Sequence, residues 1–581
     1  MTSPLFLELL CLLLLTGSSL SIVAGSTQAT TPAPTTRPAV PGDEAFDPAV
    51  NLLTTRFGGT GYHSKVQPGT LVHQTLPSMQ YALRLLQTDD PDRHARAAAV
   101  IRAVLPLQDT RPQSPWFGTW PYVMQEPVDQ MSPPDNNWGT FMGAQMCEIL
   151  VRYPDRLPPD VRDALKQALS NAARASSRRD VQPDYTNIAA MSAALLAISG
   201  EVLDEPALLM RGRAWLQRLL DWTHTHGGFT EYNSPHYTPI SLAEFERVLR
   251  LSKDSQARAL AESLRQITWQ SISDYIHPGT GEWAGPHSRV YADRLRPSVA
   301  RMLARRTGVA IGGFAPPALA DLSPEDLALR CPPELIDRFN TPPTQPRIVT
   351  SDFLRSDDPR RARHATTWLA ADATLGSINR DSLWTQRRPL LAYWNADTGV
   401  AVLRLRALKN DRDFASAELV THQSGPRALA ATRFVSGMGD WHITLDRPKD
   451  QQFRVSDLRL RLELTGPGAT ARPLGDDRYE LAAGPRRVVV RVATPSQPLL
   501  GSPVRWEVGT AATGDSVWLD AIVYAGPETA LVLRDPTPVV AAYGIELLHA
   551  SETASERPLE VHPDGTLTWQ PVPAAPLSLI P

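Results

Sequence analysis

Cysteine is nearly absent from this 581-residue chain: there are three, and Cys11 lies in the first apolar run. Cys147 and Cys331 are too sparse and too far apart to define a disulfide framework or a thiolate metal site. Cys147 sits in a helical pattern, where it reads as a small apolar residue. Excess charge is missing too. The formal net charge of −3 gives no electrostatic footing for nucleic acid as a partner. Lysine is scarce and the basic residues are almost all arginine, which suits bidentate recognition of carboxylates but follows more readily from a base-composition bias. The chain has no HExxH, no paired CxxC, no phosphate-cradling GxxxxGKS/T and no GxSxG elbow, so the chemistries those motifs carry are not indicated. His224 and His226 stand close together without a clear third ligand, and a solvent-exposed pair at a helix end explains them.

A long apolar run stands near the N-terminus. Leu5 to Leu15 is almost wholly apolar and too short for a comfortable membrane span. Val23, Ala24 and Gly25 follow as small residues, so residues 1–25 read as an export signal, although Glu8 interrupts the run and no Lys or Arg precedes it. A secreted or periplasmic protein is expected. Proline, by contrast, is abundant, at 53 residues. Thr30 to Pro41 is Thr/Pro-rich and cannot build a core, which makes residues 26–45 an extended tether.

From about residue 70 to 310 the pattern is helix after helix, roughly nine to eleven segments. Val161, Leu165, Ala168 and Ala172 recur at helical spacing behind Pro158-Pro159. Asp204-Glu205-Pro206 opens a helix with the stripe Leu208, Trp215, Leu219 and Trp222, ended by Gly227-Gly228. Leu260, Leu264 and Ile267 mark another. Residues 46–315 therefore read as one helical domain. Pro316-Pro317, Pro332-Pro333 and Pro342-Pro343 break regular structure and define a linker over 316–347. Beyond it the period changes to two. Leu458, Leu460, Leu462 and Leu464 alternate with charged residues, as do Leu403 and Leu405, while Val488-Val489-Val490 and Ala521-Ile522-Val523 fit deeper strands. Asn395 to Gly399 supplies turn residues. Residues 348–581 are expected to form an antiparallel β-sandwich.

Loops on a rigid scaffold usually carry binding groups, and several loops here hold more polar and aromatic residues than a connection needs. Trp116 to Trp120 offers rings that can stack on sugar faces, or can plug a gap between helices. Asp135-Asn136-Asn137-Trp138 precedes a helix that either Asn can cap. Asp184-Tyr185-Thr186-Asn187 leads into another, and the Asn187 amide either caps it or binds a carboxylate. Phe229 to Tyr237 gathers Glu231, Tyr232, Asn233, His236 and Tyr237 in nine residues. In Trp283 to Tyr291, His287, Arg289 and Tyr291 occupy alternate positions, so an extended backbone points all three to one side.

This combination resembles the polysaccharide lyases built on an α/α toroid, an incomplete helical barrel: the heparinase II/III-like, chondroitin/hyaluronate and alginate lyases. Locally the resemblance is carried by Asn136-Asn137-Trp138, Tyr185-Thr186-Asn187, Glu231 to Tyr237 and His287 to Tyr291. In the sheet half it is carried by Gly376-Ser377-Ile378-Asn379-Arg380, Trp384 and Gln386-Arg387-Arg388-Pro389. It implies a toroid followed by the sandwich, an acidic polysaccharide substrate, and Asn, His, Tyr and Arg in that chain order, matched by Asn187, His236, Tyr237 and Arg289. Tyr232, His287 and Tyr291 are competing phenols and imidazole, and Trp116, Trp120, Asn136, Asn137, Trp138 and Glu231 are expected to contact substrate.

The expected chemistry is β-elimination at a 4-linked uronate. An amide or guanidinium, Asn187 or Arg289, would offset the charge of the enolate-like intermediate. A base takes the proton at C5, and an acid protonates the leaving oxygen at C4. Tyr237 suits either role, and His236 or His287 is an alternative base. No redox cofactor is needed, and a structural divalent metal has no ligand signature. Two other readings compete. A glycoside hydrolase would need a carboxylate pair, such as Glu231 with Asp135, Glu282 or Asp293. A noncatalytic glycan-binding protein would need only the aromatic and polar cleft.

Overall fold

The computed structural model describes residues 38–59, 63–475, 477–495, 498–571 and 575–580. The expected signal and most of the expected tether lie outside these residues. The chain has a helix-rich N-terminal region and a C-terminal region of antiparallel sheets. It divides into two compact units that interleave along the sequence. Among the described residues, the first lies within 38–221, 240–268 and 317–329, and the second within 222–239, 269–316 and 330–580. Among the described residues no helix is long and apolar enough to cross a membrane.

In the first unit, residues 38–45 are not a free tether. Asp43–Ala45 forms a helical turn, Val40 is buried, and the Tyr81 hydroxyl donates to Asp43 Oδ1 at 2.5 Å. A three-stranded sheet follows, Phe46–Asp47, Leu52–Arg56 and Leu71–Gln74. Helices Leu76–Leu86, Pro91–Val104, Asn137–Arg152, Pro159–Arg179 and Thr186–Val202 come next. Pro159–Arg179 starts at the Pro pair and buries Val161, Leu165, Ala168 and Ala172, as their spacing requires. Thr186–Val202 is apolar nearly all round and buried from Thr186 to Gly200, which makes it the centre of the unit. A Cβ at Gly212 would stand 2.4 Å from Ala197 N, so only glycine allows that approach of Pro206–His226 to the central helix.

Helices Pro206–His226, Tyr237–Leu251, Ser255–Tyr275 and Pro297–Thr307 complete nine between residues 70 and 310 among the described residues. The expected Pro-rich linker contains two short helices, Pro324–Ala328 and Asp337–Asn340. Ser323 and Asp326 form a reciprocal capping box that stabilises the first of them despite the prolines.

In the second unit, a nine-stranded antiparallel sheet runs through Arg505–Thr510, Ser516–Val532, Gln452–Thr465, Gly399–Lys409, Leu390–Ala396, Ala373–Ile378, Arg363–Leu369 and Arg347–Leu354. Arg412–Asp413 pairs with Gly399–Lys409 off this path. A six-stranded sheet runs through Ala417–Ser424, Arg427–Phe434, Ala541–His549, Arg486–Ala493, Arg478–Ala483 and Thr470–Gly475. Leu405 pairs with Leu462, so the two alternating runs lie side by side and turn their leucines to one face. That face shares a single core with the second sheet, in which Leu403, Leu460 and Leu519 cluster with Ala428, Val488 and Ile545. Trp394 of the first sheet donates its indole N–H to Ala483 O of the second at 2.8 Å. The arginines of the opposite face are paired. Arg404 and Arg406 reach Glu463, and Arg459 and Arg461 reach Asp520.

Candidate active site

The two richest loops of the sequence meet inside the second unit. Ser234 starts the process: its Oγ accepts from Tyr237 N at 3.0 Å, an N-terminal cap that fixes where the helix Tyr237–Leu251 begins. The same hydroxyl donates to Arg289 O at 2.5 Å and ties the Trp283 to Tyr291 segment to the loop. Asn233, with φ of 43°, is in the left-handed region that asparagine tolerates. Its amide donates to Ala284 O and Pro286 O, both at 2.8 Å, and accepts from the Trp283 indole at 2.5 Å. Backbone hydrogen bonds of His287 with Arg388 and of Val290 with Gln386 then dock the segment onto the sheet.

With the backbones clasped, the alternate side chains of the second loop all face the first. His287 Nδ1 lies 2.7 Å from Asn233 O, Arg289 Nη1 donates to Glu231 Oε1 at 2.9 Å, and the Tyr291 hydroxyl lies 2.7 Å from the Tyr237 hydroxyl. The Arg289 guanidinium is sandwiched. Its central carbon stands 4.4 Å from the Tyr237 ring centroid and 4.0 Å from that of Trp384, with Nε donating to Gln386 at 3.3 Å. His236 packs edge-on against Tyr237 and Tyr291, with centroids at 4.6 and 4.7 Å.

Burial, aided by the charges of Arg296 and Arg289, pushes the His236 imidazole well below its ordinary value. Burial likewise brings His287 down to about 3. Both rings are neutral in the folded chain at mildly acidic pH, whereas in the unfolded chain they protonate below about pH 6.5. Unfolding therefore takes up protons, and stability falls as the pH drops through about 6.5. Near pH 5, His287→Gln is expected to reduce the slope of unfolding free energy against pH by about 1.4 kcal/mol per pH unit. An unchanged slope would mean that His287 protonates without unfolding the chain.

Tyr232 is fully buried and stacks on Phe353 at 4.8 Å, and burial raises its phenol, reinforced by the Asp381 charge. Tyr232 and His287 thus serve the scaffold, and Tyr237, Tyr291, His236 and Arg289 form the cluster. The carboxylates proposed for hydrolysis are all engaged. Glu231 is held by Arg289. Glu282 pairs with Arg294 and accepts from Leu295 N, and burial raises its carboxyl against the pull of Arg294. Burial raises Asp293 as well, but Arg388 and Arg404 more than offset it and bring the carboxyl to about 2.

The remaining expected residues belong to the first unit. Asn187 is buried in the first turn of its helix. Asp135, not Asn136 or Asn137, caps the helix Asn137–Arg152: its Oδ1 accepts from Asn137 N at 2.9 Å, and its Oδ2 accepts from the Tyr122 hydroxyl at 2.9 Å. Asn137 links Arg179 and the Tyr185 hydroxyl, and Asn136 is exposed. Trp116 is half-buried. Trp120 is 0% exposed and donates to Val104 O, and Trp138 is buried with its indole N–H on Thr75 Oγ1. Neither ring has a face to offer a sugar; both fill the core because an indole with a satisfied N–H packs there at little cost. Trp120→Ala is expected to cost about 3–5 kcal/mol of stability, with KM for any substrate unchanged, which thermal melts and kinetics will show. His224 is exposed and His226 packs on Trp222 at 4.2 Å. Among the described residues no group of three or more His, Cys, Asp or Glu side chains could hold a metal ion.

Two residues of the cluster were not singled out as site residues from the sequence. Trp384 covers Arg289. Arg296, which precedes the helix Pro297–Thr307 without capping it, has its guanidinium carbon 5.9 Å from the Tyr291 ring centroid, and its Nη1 is buried with no hydrogen-bond partner among the described residues. An Arg-Pro step at a helix start is an ordinary sequence, so nothing local marks it.

A family model described as a domain of unknown function (DUF8769) matches residues 43–312. No curated protein matches the chain. Among solved structures, the chain is similar to the chondroitin AC lyase of Streptomyces coelicolor A3 in complex with chondroitin sulphate. The two are 10% identical with a TM-score of 0.43, over 85% of this chain and 79% of that one. A chondroitinase AC lyase known from enzyme–oligosaccharide complexes is 9% identical with a TM-score of 0.38, over 85% and 80%. A heparan sulfate lyase mutant from Pedobacter heparinus is 10% identical with a TM-score of 0.34, over 95% and 91%.

Proposed function

We propose that this chain is an exported polysaccharide lyase that cleaves a uronate-containing glycan by β-elimination. In this reading the helical region is an incomplete α/α toroid, and the two sheets with their shared core are a β-sandwich. The observation that carries it is the Tyr237–Tyr291 hydroxyl pair at 2.7 Å, with Arg289 against the Tyr237 ring and neutral His236 beside both.

A base must be able to hold the proton it takes. His236 is a poor one, because burial and two nearby cations disfavour its imidazolium. Tyr237 is better placed. Arg289 lies where negative charge on the phenol oxygen is stabilised, and Tyr291 can donate a hydrogen bond to that oxygen. Ionised Tyr237 takes the C5 proton, the C5–H electrons form the C4=C5 bond, the C4–O4 bond breaks, and the same phenol returns the proton to O4. His236 positions both rings. Arg289 is committed to Glu231, so the substrate carboxylate falls to Arg296, whose Nη1 is unsatisfied. Hydrolysis is disfavoured because each carboxylate near the cluster is already in an ion pair.

The test is incubation with a panel of uronate glycans. Ultraviolet absorbance of an unsaturated uronate is expected with at least one of them. New reducing ends without that absorbance would overturn elimination in favour of hydrolysis.

A further inference from the structure

The first unit contains a cavity of about 260 Å³ whose lining includes Phe117, Gly118, Asn136, Ser176, Arg178 and Arg179. We infer that it is a binding site for one anionic sugar unit, a hexuronate or a sulfated hexose. The choice of a sugar rests on the glycan reading above, whereas the preference for an anion rests on the cavity alone.

Charge is the first argument. Most arginines of this protein carry a carboxylate partner, yet Arg178 and Arg179 have none among the described residues. Arg178 Nη1 donates to Pro112 O, and Arg179 Nη1 to the amide oxygen of Asn137. Two positive charges at one cavity are left without a counter-ion. The first turn of the helix Asn137–Arg152 also borders it, through Gly139 and Thr140, and the positive end of a helix dipole favours an anion. A second observation is independent of charge. Ser176 is 5% exposed and lines the cavity, and its hydroxyl has no hydrogen-bond partner. A buried hydroxyl left unsatisfied costs about 1–3 kcal/mol, and a ligand hydroxyl would remove that cost.

Shape completes the case. The volume would hold roughly eight or nine waters at about 30 Å³ each, too large for a simple oxyanion and suited to one sugar ring. Phe117 supplies an aromatic wall, braced by Arg178 at 4.7 Å. The loop beside this wall packs closely on the helix Pro159–Arg179, since Gly118 has φ of 79° and a Cβ there would stand 2.5 Å from Asn171 O.

Binding of D-glucuronate, N-acetylgalactosamine 4-sulfate and glucose to the full chain tests this, read by saturation-transfer NMR. At least one anionic sugar is expected to bind saturably, and glucose not to bind. Glucuronate alone would mark a carboxylate site, and the sulfated sugar alone a sulfate-ester site. The double variant Arg178→Ala/Arg179→Ala is expected to weaken binding at least about tenfold, as loss of one charge-assisted hydrogen bond implies. Ser176→Val, which intrudes on the cavity but keeps both charges, is expected to weaken binding as well. Equal affinity in the double variant and the parent, equal binding of glucose, or no saturable binding would overturn the inference. Saturable binding lost in the double variant, without any unsaturated product from glycans, would sink the lyase reading and leave the cavity standing.

Discussion

Tyr237→Phe is expected to lower the turnover of elimination by about 10²–10⁴-fold, the range for loss of one general acid–base group. The substitution removes only the hydroxyl. The ring stays packed edge-on against His236 at 4.6 Å and under the Arg289 guanidinium at 4.4 Å, so the fold and its melting temperature should change little. Tyr291→Phe separates the two phenols. It removes the 2.7 Å hydrogen bond to Tyr237 but not the group that takes the proton. A net hydrogen bond is worth about 0.5–1.5 kcal/mol, so a loss of about tenfold is expected. Turnover measured by unsaturated product, with circular dichroism on each variant, decides the matter. Near-normal turnover in Tyr237→Phe would remove Tyr237 from the mechanism, and a deeper loss in Tyr291→Phe would exchange their roles.

Arg289→Ala is expected to be costly on two counts. Arg289 and Glu231 form an ion pair at 2.9 Å with both side chains buried, so removal of the guanidinium strands a carboxylate away from water. Breaking one side of a buried pair costs about 3–5 kcal/mol, which should appear as a lower melting temperature. The double variant Glu231→Ala/Arg289→Ala removes the stranded charge and is expected to recover part of that stability. It is not expected to recover turnover, because the cation beside the Tyr237 ring is still missing. Arg289→Lys should behave more like the alanine variant than a conservative change. An ammonium cannot lie flat between Tyr237 and Trp384 while bonding both Glu231 and Gln386. Full turnover in the destabilised double variant would show that Arg289 serves stability alone.

Secondary structure could be read closely wherever burial follows a short period. The leucines at 458, 460, 462 and 464 and the stripe at 161, 165, 168 and 172 are each buried on one face, because a strand or helix displays its repeat whatever its neighbours are. The alternation of His287, Arg289 and Tyr291 worked in the same way, and all three side chains face the Glu231 to Tyr237 loop. Composition alone misled at Trp120 and Trp138, since an indole in a loop looks identical whether it faces a sugar or the core. The alternative of a cap at Asn136 or Asn137 was equally open in composition, and it is the side chain of Asp135 that accepts from the Asn137 amide.

The amino-acid order by itself determined the helical half, the strand half and the two loops that hold the phenols, the imidazole and the guanidinium. Only the tertiary structure decided their ranking. Tyr237 and Tyr291 are 54 residues apart, yet their hydroxyls touch, while Tyr232, five residues before Tyr237, is buried against Phe353. Arg289 is bound to Glu231, and Arg296 keeps an unsatisfied nitrogen. The physical reason is that reactivity depends on desolvation and on the charges within a few ångströms, and long-range packing sets both of these.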